Sequence, residues 1–317
     1  MCGRSFLSCI LLSPDVSFLF FFFTAMEEFS SNATNQTSPI FPVSYRVGLV
    51  VLYTPVLLGG SVGIVLMSTS LKSSKSVTTV SVINLLVVHL LFLLTVPFRI
   101  YYFISDQWAL GLDFCKLVSS MIHAHVYLSF IFYIVILVTR FLNYFQWRGR
   151  LKFTRVLHAF VASLTVWVII LGTLLPATII NYGSEATTGE KRDNVCFHFG
   201  SALSRTPIVV LNYIICVVVL LVCTVLASIQ LWILRQVYRK YGRVSLNHQE
   251  FWAQLKSLCF VLIMFFCFVP YHGFRIYYVS SYWDGLQKVN EVFLAFTAFT
   301  CFDMLMFAGR AVCRRIE

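Results

Sequence analysis

The sequence predicts an all-α fold, a bundle of seven membrane-spanning helices with the N-terminus outside the cell and the C-terminus in the cytoplasm. Three observations support this fold class: the composition, seven long apolar stretches and an uneven distribution of basic residues. Apolar residues make up 59% and charged residues 12% of the 317 residues, whereas soluble domains have about 45–50% apolar and about 25% charged residues. A soluble chain could not bury that much apolar surface, so the composition excludes a soluble enzyme and a nucleic-acid-binding module.

A helix needs about 20 mostly apolar residues to cross a membrane, and seven stretches of the chain meet this requirement. Each stretch must be helical, because lipid offers the backbone no hydrogen-bond partners of its own. A transmembrane β-barrel would instead show alternating segments of about ten residues, and the sequence does not have this pattern. The stretches, numbered here as the first to seventh spans, are approximately 46–71, 76–104, 114–145, 154–180, 207–237, 251–280 and 289–309.

The orientation follows from the basic residues between the spans, because Lys and Arg concentrate on the cytoplasmic side of a membrane. With the N-terminus outside, the inner segments contain only two acidic residues, Glu250 and Glu317, and the outer loops mix both signs. The basic residues of the inner segments are Lys72, Lys75, Arg148, Arg150, Lys152, Arg155, Arg239, Lys240, Arg243, Arg310, Arg314 and Arg315. The distribution therefore predicts a multi-pass protein of the plasma membrane, with the lipid bilayer as a partner.

The seven spans form one predicted domain, residues 46–309, between an extracellular segment, 1–45, and a short cytoplasmic tail, 310–317. The extracellular segment contains two consecutive Asn-x-Thr sequons, which begin at Asn32 and Asn35. Because this part of the chain is rich in Ser, Thr and Asn and lies outside, we expect both asparagines to be glycosylated.

Residues 1–25 contain an apolar run that is too short to cross the membrane comfortably. The run resembles the apolar core of a signal peptide. Alternatively, Met26 is the working start and residues 1–25 are an upstream extension. Both interpretations are preferred here to an eighth span.

One cysteine and one arginine mark the two ends of the third span, and a second cysteine lies in an outer loop. Cys115 and Cys196 both lie on the oxidising outer side, where a disulfide between them is the natural expectation. Arg140 follows Cys115 by twenty-five residues, about 37 Å of helix at 1.5 Å per residue. Arg140 therefore reaches the cytoplasmic end of the span. Taken alone, it is an arginine that extends to the lipid headgroups.

The sixth span contains the sequence Cys-Phe-Val-Pro-Tyr-His, followed by Arg275. Pro270 removes a backbone hydrogen bond and favours a kink, which would let the cytoplasmic half of the helix swing. A static kink in a transporter or channel is the alternative. His272 and Arg275 are three residues apart, so they share one face near the outer surface.

These residues together resemble the rhodopsin-like family of G-protein-coupled receptors. The similarity rests on the two cysteines, the Trp-x-x-Gly that begins at Trp108, Arg140, Trp167 and the segment 267–275. The segment 267–275 and the run 94–99 in the second span are similar to the purinergic and lipid-receptor branch of that family. The similarity to an orphan member of this branch extends from about residue 45 to 309.

The resemblance implies a receptor that binds a small extracellular ligand and signals to a heterotrimeric G protein. It implies no enzymatic activity, and we expect no cofactor, no metal and no nucleic-acid partner. Basic side chains at the outer ends of the spans favour an anionic ligand, either a lipid acid or a nucleotide-like molecule, unless they pair with Asp106, Asp113 or Glu291. The candidate ligand-binding residues are Arg99, His123, Tyr127, Tyr271, His272 and Arg275.

Several positions depart from the family pattern, and they bear on activation. Thr139 stands where the family has an acid that pairs with Arg140, so the resemblance implies basal activity or weakened coupling to G proteins. A receptor-like protein that signals weakly or not at all is therefore an alternative, and a membrane transporter is a weaker one because inverted repeats are not visible. The candidate activation residues are Thr139, Arg140, Phe268, Pro270, Asp303 and Phe307.

A polar site is expected in the middle of the membrane, at Asn84, His89 and Asp303. In the family the corresponding positions hold sodium, but His89 and Gly63 replace two of the usual oxygen ligands. We therefore expect His89 to contact Asp303, since an unpartnered carboxylate is costly at this depth. In the alternative, His89 bonds to the backbone or to Asn84, and Asp303 pairs elsewhere.

Overall fold

The computed structural model describes residues 42–70, 77–144, 152–181, 196–197, 206–242, 249–281 and 284–305. The predicted glycosylation sites at Asn32 and Asn35, the activation residue Phe307, the segment 1–25 and the tail 310–317 lie outside the described residues. Within the described ranges all regular secondary structure is helical.

Seven consecutive helical spans make up the described part of the chain, and they correspond to the seven predicted spans. Two of them are compound, because the second contains a turn and the seventh ends in a 3₁₀ turn. The helices are Val43–Ser70, Val77–Leu93 with Val96–Ser105, Leu112–Tyr144, Lys152–Asn181, Thr206–Tyr241, Gln249–Ser280, and Asp284–Thr297 with Ala298–Phe302.

Length and composition suit most of these spans to a membrane. The first, second, third, fifth and sixth spans contain helical stretches long and apolar enough to cross it, and the fourth contains a shorter apolar stretch, Ala159–Thr173. Large apolar side chains point away from the bundle, as Leu58, Val65, Phe160 and Leu221 do with exposures of 59–64%. Such a surface would be an aggregation hazard in water, but it is the normal lipid-facing surface of a membrane protein.

The second span is interrupted where its sequence breaks the helix. Thr95 donates its side-chain hydroxyl to the carbonyl oxygen of Phe92 over 2.7 Å, and its backbone N–H bonds to the same oxygen. Pro97 then occupies the first turn of the new helix, where its missing N–H is not required. Beyond this turn Arg99 lies inside the bundle, with only 1% of its surface exposed.

The first and seventh spans approach closely because the first span presents glycines to the seventh. A Cβ atom on Gly60 would lie 3.2 Å from the Cβ of Cys301 and 2.9 Å from a methyl group of Leu93. One on Gly63 would lie 3.0 Å from the Cβ of Met304. The glycine that replaces the family's usual asparagine at residue 63 therefore lets two helix backbones come together.

A disulfide fixes the outer end of the third span. Cys115 and Cys196 are bonded, with their Cα atoms 5.8 Å apart, which confirms the pairing expected from the sequence. Tyr102 of the second span holds the same loop, because its hydroxyl donates to the carbonyl oxygen of Cys196 and accepts its N–H. The loop residue Phe197 is thereby buried against the second span.

Replacing Gly60 with valine should destabilise the protein, because the new side chain must displace Leu93 or the seventh span. Overpacking of this kind costs about 1–3 kcal/mol. Gly48→Val is the matched control, since it makes the same substitution in the same helix at a glycine with nothing within 4 Å of its Cβ position. The thermal unfolding midpoint in detergent should fall for Gly60→Val and stay unchanged for Gly48→Val; equal midpoints would contradict this packing.

Removing the disulfide should lower the amount of the protein at the cell surface. The loss of a native disulfide costs about 2–5 kcal/mol, so Cys115→Ser and Cys196→Ser should each reduce surface staining. Cys216→Ser serves as the control, because Cys216 is a buried free thiol. Recovery of both Cys115 and Cys196 as alkylated free thiols from wild-type surface protein would show that the bond does not form.

Candidate functional site

Arg275 is the central charge of the outer half of the bundle. Its Nε donates to the side-chain oxygen of Asn212 on the fifth span over 3.2 Å, and its Nη1 donates to that of Asn290 on the seventh over 3.1 Å. The guanidinium also lies 5.3 Å from the centre of the Tyr278 ring. Among the described residues no carboxylate lies within ion-pair distance of Arg275, so two neutral amides orient the charge without neutralising it.

His272 lies one turn before Arg275 and is 1% exposed. Neither of its ring nitrogens has a hydrogen-bond partner within the described part of the chain. A buried polar group without a partner is unusual in a folded protein, and it marks a place where a ligand or water can bind. His272 therefore presents free hydrogen-bonding capacity beside an oriented positive charge.

The remaining predicted ligand contacts, apart from Arg99, gather around the same arginine. His123 and Tyr127 of the third span and Tyr271 of the sixth all lie within electrostatic range of Arg275. Tyr271 also packs edge-on against His272, with ring centres 4.9 Å apart. The structure thus brings these residues together at one site, and their contact with a ligand stays a prediction.

Arg99 does not present the open charge that the sequence analysis expected. Its Nη1 lies 3.6 Å from a carboxylate oxygen of Glu291, and its Nη2 donates to the backbone oxygen of Val118. The guanidinium lies 4.4 Å from the centre of the Phe197 ring. The alternative of pairing with Glu291 is therefore the arrangement present. Arg99 connects the second, third and seventh spans and the outer loop, while Arg275 keeps the stronger case as a ligand contact.

At the cytoplasmic end, Arg140 connects the third span to the sixth. Its Nη1 donates to the hydroxyl of Ser257 over 2.9 Å, and its guanidinium lies 5.1 Å from the centre of the Phe260 ring. The hydroxyl of Thr139 donates instead to the backbone oxygen of Val135 in its own helix. Arg140 is therefore connected to the sixth span through the neutral hydroxyl of Ser257. A carboxylate at residue 139 would instead place a negative charge beside Arg140.

The predicted activation residues of the sixth span lie between the ligand site and Arg140. Phe268 is fully buried and packs edge-on against Phe130 and Tyr133, with ring centres 5.7 and 6.2 Å away. Pro270 lies two residues later, inside a helix that continues through it. A movement of the outer half of the sixth span would therefore displace Phe268 before it reached the cytoplasmic end of the helix.

The mid-membrane polar site contains the contact that the sequence predicted. Nε2 of His89 lies 3.2 Å from Oδ1 of Asp303, and both side chains are fully buried. The other carboxylate oxygen of Asp303 accepts a hydrogen bond from the hydroxyl of Tyr133 over 2.5 Å. Asn84 belongs elsewhere, because its side chain bonds to Trp167 of the fourth span and to the backbone oxygen of Val80.

Sequence reasoning missed three members of this buried cluster: His125, Tyr133 and Cys301. His125 and Tyr133 are eight residues apart with Ser129 midway, a spacing that places all three on one face of the third span. That repeat of polar residues in an apolar helix was the available signal. Cys301 gave no signal of its own, because single cysteines are ordinary in apolar runs.

The described bundle defines a class of protein. Seven helical spans, a disulfide that secures an outer loop, an outer polar site and an arginine at the inner end of the third span are features of a membrane receptor. The chain matches the family described as "7 transmembrane receptor (rhodopsin family)" over residues 60–307, and it belongs to that family. It is therefore a multi-pass receptor of the plasma membrane, and receptors of this family are not enzymes.

Several receptors are similar to the chain along most of its length. It is 42% identical to the human protein "Probable G-protein coupled receptor 141" over 267 residues, which cover 82% of this chain and 87% of that protein. It is 25% identical to the chimpanzee "Probable G-protein coupled receptor 34", with 89% and 77% covered. It is 29% identical to the chicken "Lysophosphatidic acid receptor 6", with 83% and 86% covered.

Proposed function

We propose that this receptor binds a small anionic extracellular ligand, a lipid acid or nucleotide-like molecule, at Arg275 and signals to a heterotrimeric G protein. Two neighbouring observations carry the proposal. Among the described residues, the hydrogen bonds of the Arg275 guanidinium go to neutral side-chain amides. One helical turn away, both ring nitrogens of His272 lack a hydrogen-bond partner among the described residues. A partly buried charge without a bonded counter-ion is costly, and an anionic ligand would compensate it.

The chemistry of the site favours an anion over an amine. An arginine side chain has five N–H donors in a planar fork, and the two amide contacts use only part of them. A carboxylate or phosphate can accept two parallel hydrogen bonds from such a fork. An amine would need a carboxylate, and the nearby Glu291 is already paired with Arg99.

One relative supports this ligand class by its name. Lysophosphatidic acid receptor 6 is named for a lipid acid, and its similarity extends through most of this chain. The basic inner segments support the signalling half of the proposal, because they would attract an acidic partner surface at the cytoplasmic side.

Neutralising Arg275 should weaken the response to any active anionic ligand. A panel of lysophospholipids, fatty acids and nucleotides is tested for G-protein activation with wild type and Arg275→Gln at matched surface levels. Hydrogen bonds to charged groups contribute about 1.5–3 kcal/mol, so the half-maximal concentration should rise about tenfold to a hundredfold.

Arg46→Gln is the matched control, because Arg46 is a basic residue at the outer end of the first span and lies 3.8 Å from Asp106, outside this site. Its potency should equal that of wild type. An anionic agonist that acts equally well on Arg275→Gln would overturn the ligand assignment. A receptor that reaches the surface but activates no G protein under any condition would instead favour the weakly signalling or non-signalling alternative.

The contact between Arg140 and Ser257 should restrain signalling without ligand, because it connects the third and sixth spans. Ser257→Ala should raise the ligand-free G-protein signal several-fold, since loss of about 1 kcal/mol changes a two-state ratio by that much. Thr139→Asp should lower the signal by placing a carboxylate beside Arg140.

Ser228→Ala is the control, because within the described part of the chain the hydroxyl of Ser228 bonds only to its own helix. Its basal signal should equal that of wild type. If Ser257→Ala and Thr139→Asp both leave the ligand-free signal at the wild-type level, this contact does not restrain the receptor.

A further inference from the structure

Three side chains from three spans meet in the middle of the bundle. Nδ1 of His89 lies 3.0 Å from Nε2 of His125, and the sulfur of Cys301 lies 3.5 Å from the former and 3.7 Å from the latter. All three residues are at most 1% exposed. The arrangement is a closed triangle of two imidazole nitrogens and one thiol sulfur.

The triangle has the dimensions of a zinc site. Zinc binds histidine nitrogen at about 2.0–2.1 Å and cysteine sulfur at about 2.3 Å, usually in tetrahedral geometry. Tetrahedral angles then separate two nitrogens by about 3.3 Å and a nitrogen from the sulfur by about 3.6 Å. The three distances of the cluster agree with these separations to within a few tenths of an ångström.

We propose that His89, His125 and Cys301 supply three of the ligands of a zinc ion. Imidazole and thiolate are preferred zinc ligands, whereas sodium, magnesium and calcium prefer oxygen. Cys301 would bind as the thiolate, and its proton would be released to solvent when the metal enters. This assignment differs from the sequence analysis, which expected no metal.

The surroundings of one histidine of the triangle, His89, resemble those of a metal ligand. Histidine ligands usually present their second nitrogen to a carboxylate, which fixes the ring and its tautomer. Asp303 takes this place for His89, because its Oδ1 lies 3.2 Å from Nε2 and thereby leaves Nδ1 to face the other two ligands. The hydroxyl of Tyr133 donates a hydrogen bond to the other oxygen of this carboxylate. The ring of Phe92 stacks on His125 at 4.3 Å and covers one side.

A zinc ion at this place would connect the second, third and seventh spans. Any ligand that binds only the folded arrangement stabilises it by an amount that grows with the logarithm of its concentration relative to its dissociation constant. Zinc would therefore favour the receptor state in which these three spans are close together. The proposal concerns binding and stability, so its outcome is independent of the extracellular ligand and of G-protein coupling.

The test uses the full-length receptor, purified in detergent, stripped with a chelator and dialysed against micromolar free zinc. We expect one zinc per receptor by elemental mass spectrometry and a higher thermal unfolding midpoint, with magnesium and calcium without effect. Cobalt in place of zinc should give the near-ultraviolet thiolate charge-transfer absorption and the visible bands of a tetrahedral site.

Cys301→Ser should abolish the thiolate absorption and reduce zinc affinity at least tenfold, since even the loss of a group that merely orients a ligand costs about 10–100-fold. Cys223→Ser is the matched control, since Cys223 is an equally buried free thiol of the fifth span, and it should behave as wild type. The cobalt spectrum is measured on the wild-type protein. The test therefore remains decisive even if a variant fails to fold. Substoichiometric zinc or a cobalt spectrum without thiolate absorption would each overturn the assignment.

Discussion

The carboxylate of Asp303 is the constraint on which the packing of the central bundle depends. It is fully buried at a depth where the bilayer offers no solvation, so the protein must supply its partners. His89 of the second span and Tyr133 of the third contact its two oxygens. These contacts fix how the second, third and seventh helices are rotated about their axes. In this orientation His125 and Cys301 also face His89.

The same requirement organises the outer half, where the buried Arg99 and the partly buried Arg275 have different environments. Arg99 is compensated inside the protein by Glu291 and by the backbone of the third span. Arg275 contacts the side-chain oxygens of Asn212 and Asn290, which orient a charge but do not cancel it. Internal compensation gives Arg99 a structural role, whereas the described contacts of Arg275 include no carboxylate within ion-pair distance, which is the basis for proposing it as a ligand contact.

The connections between the two ends of the receptor are packing contacts. Phe268 fills the space beside Phe130 and Tyr133, so the sixth span touches the residue that holds Asp303. Toward the cytoplasm the same pair of spans is joined by Arg140 and Ser257. A displacement of the sixth span would therefore disturb the aromatic contacts and the cytoplasmic hydrogen bond together, because both depend on one helix position.

The sequence by itself predicted the number of spans and the disulfide, and together with the family resemblance it predicted the contact between His89 and Asp303; the orientation of the spans stays a prediction. These predictions rest on composition, on the side of the membrane, and on the cost of a buried charge at a position that the family marks. Only the tertiary structure decided that Arg99 pairs with Glu291 and that His125 and Cys301 join His89. Membrane helices are apolar on both the lipid-facing and inward faces, so hydrophobic patterning does not reveal which residues point inward. Moreover, the residues of the triangle are 36 to 212 positions apart in the chain, and helix packing alone brings them together.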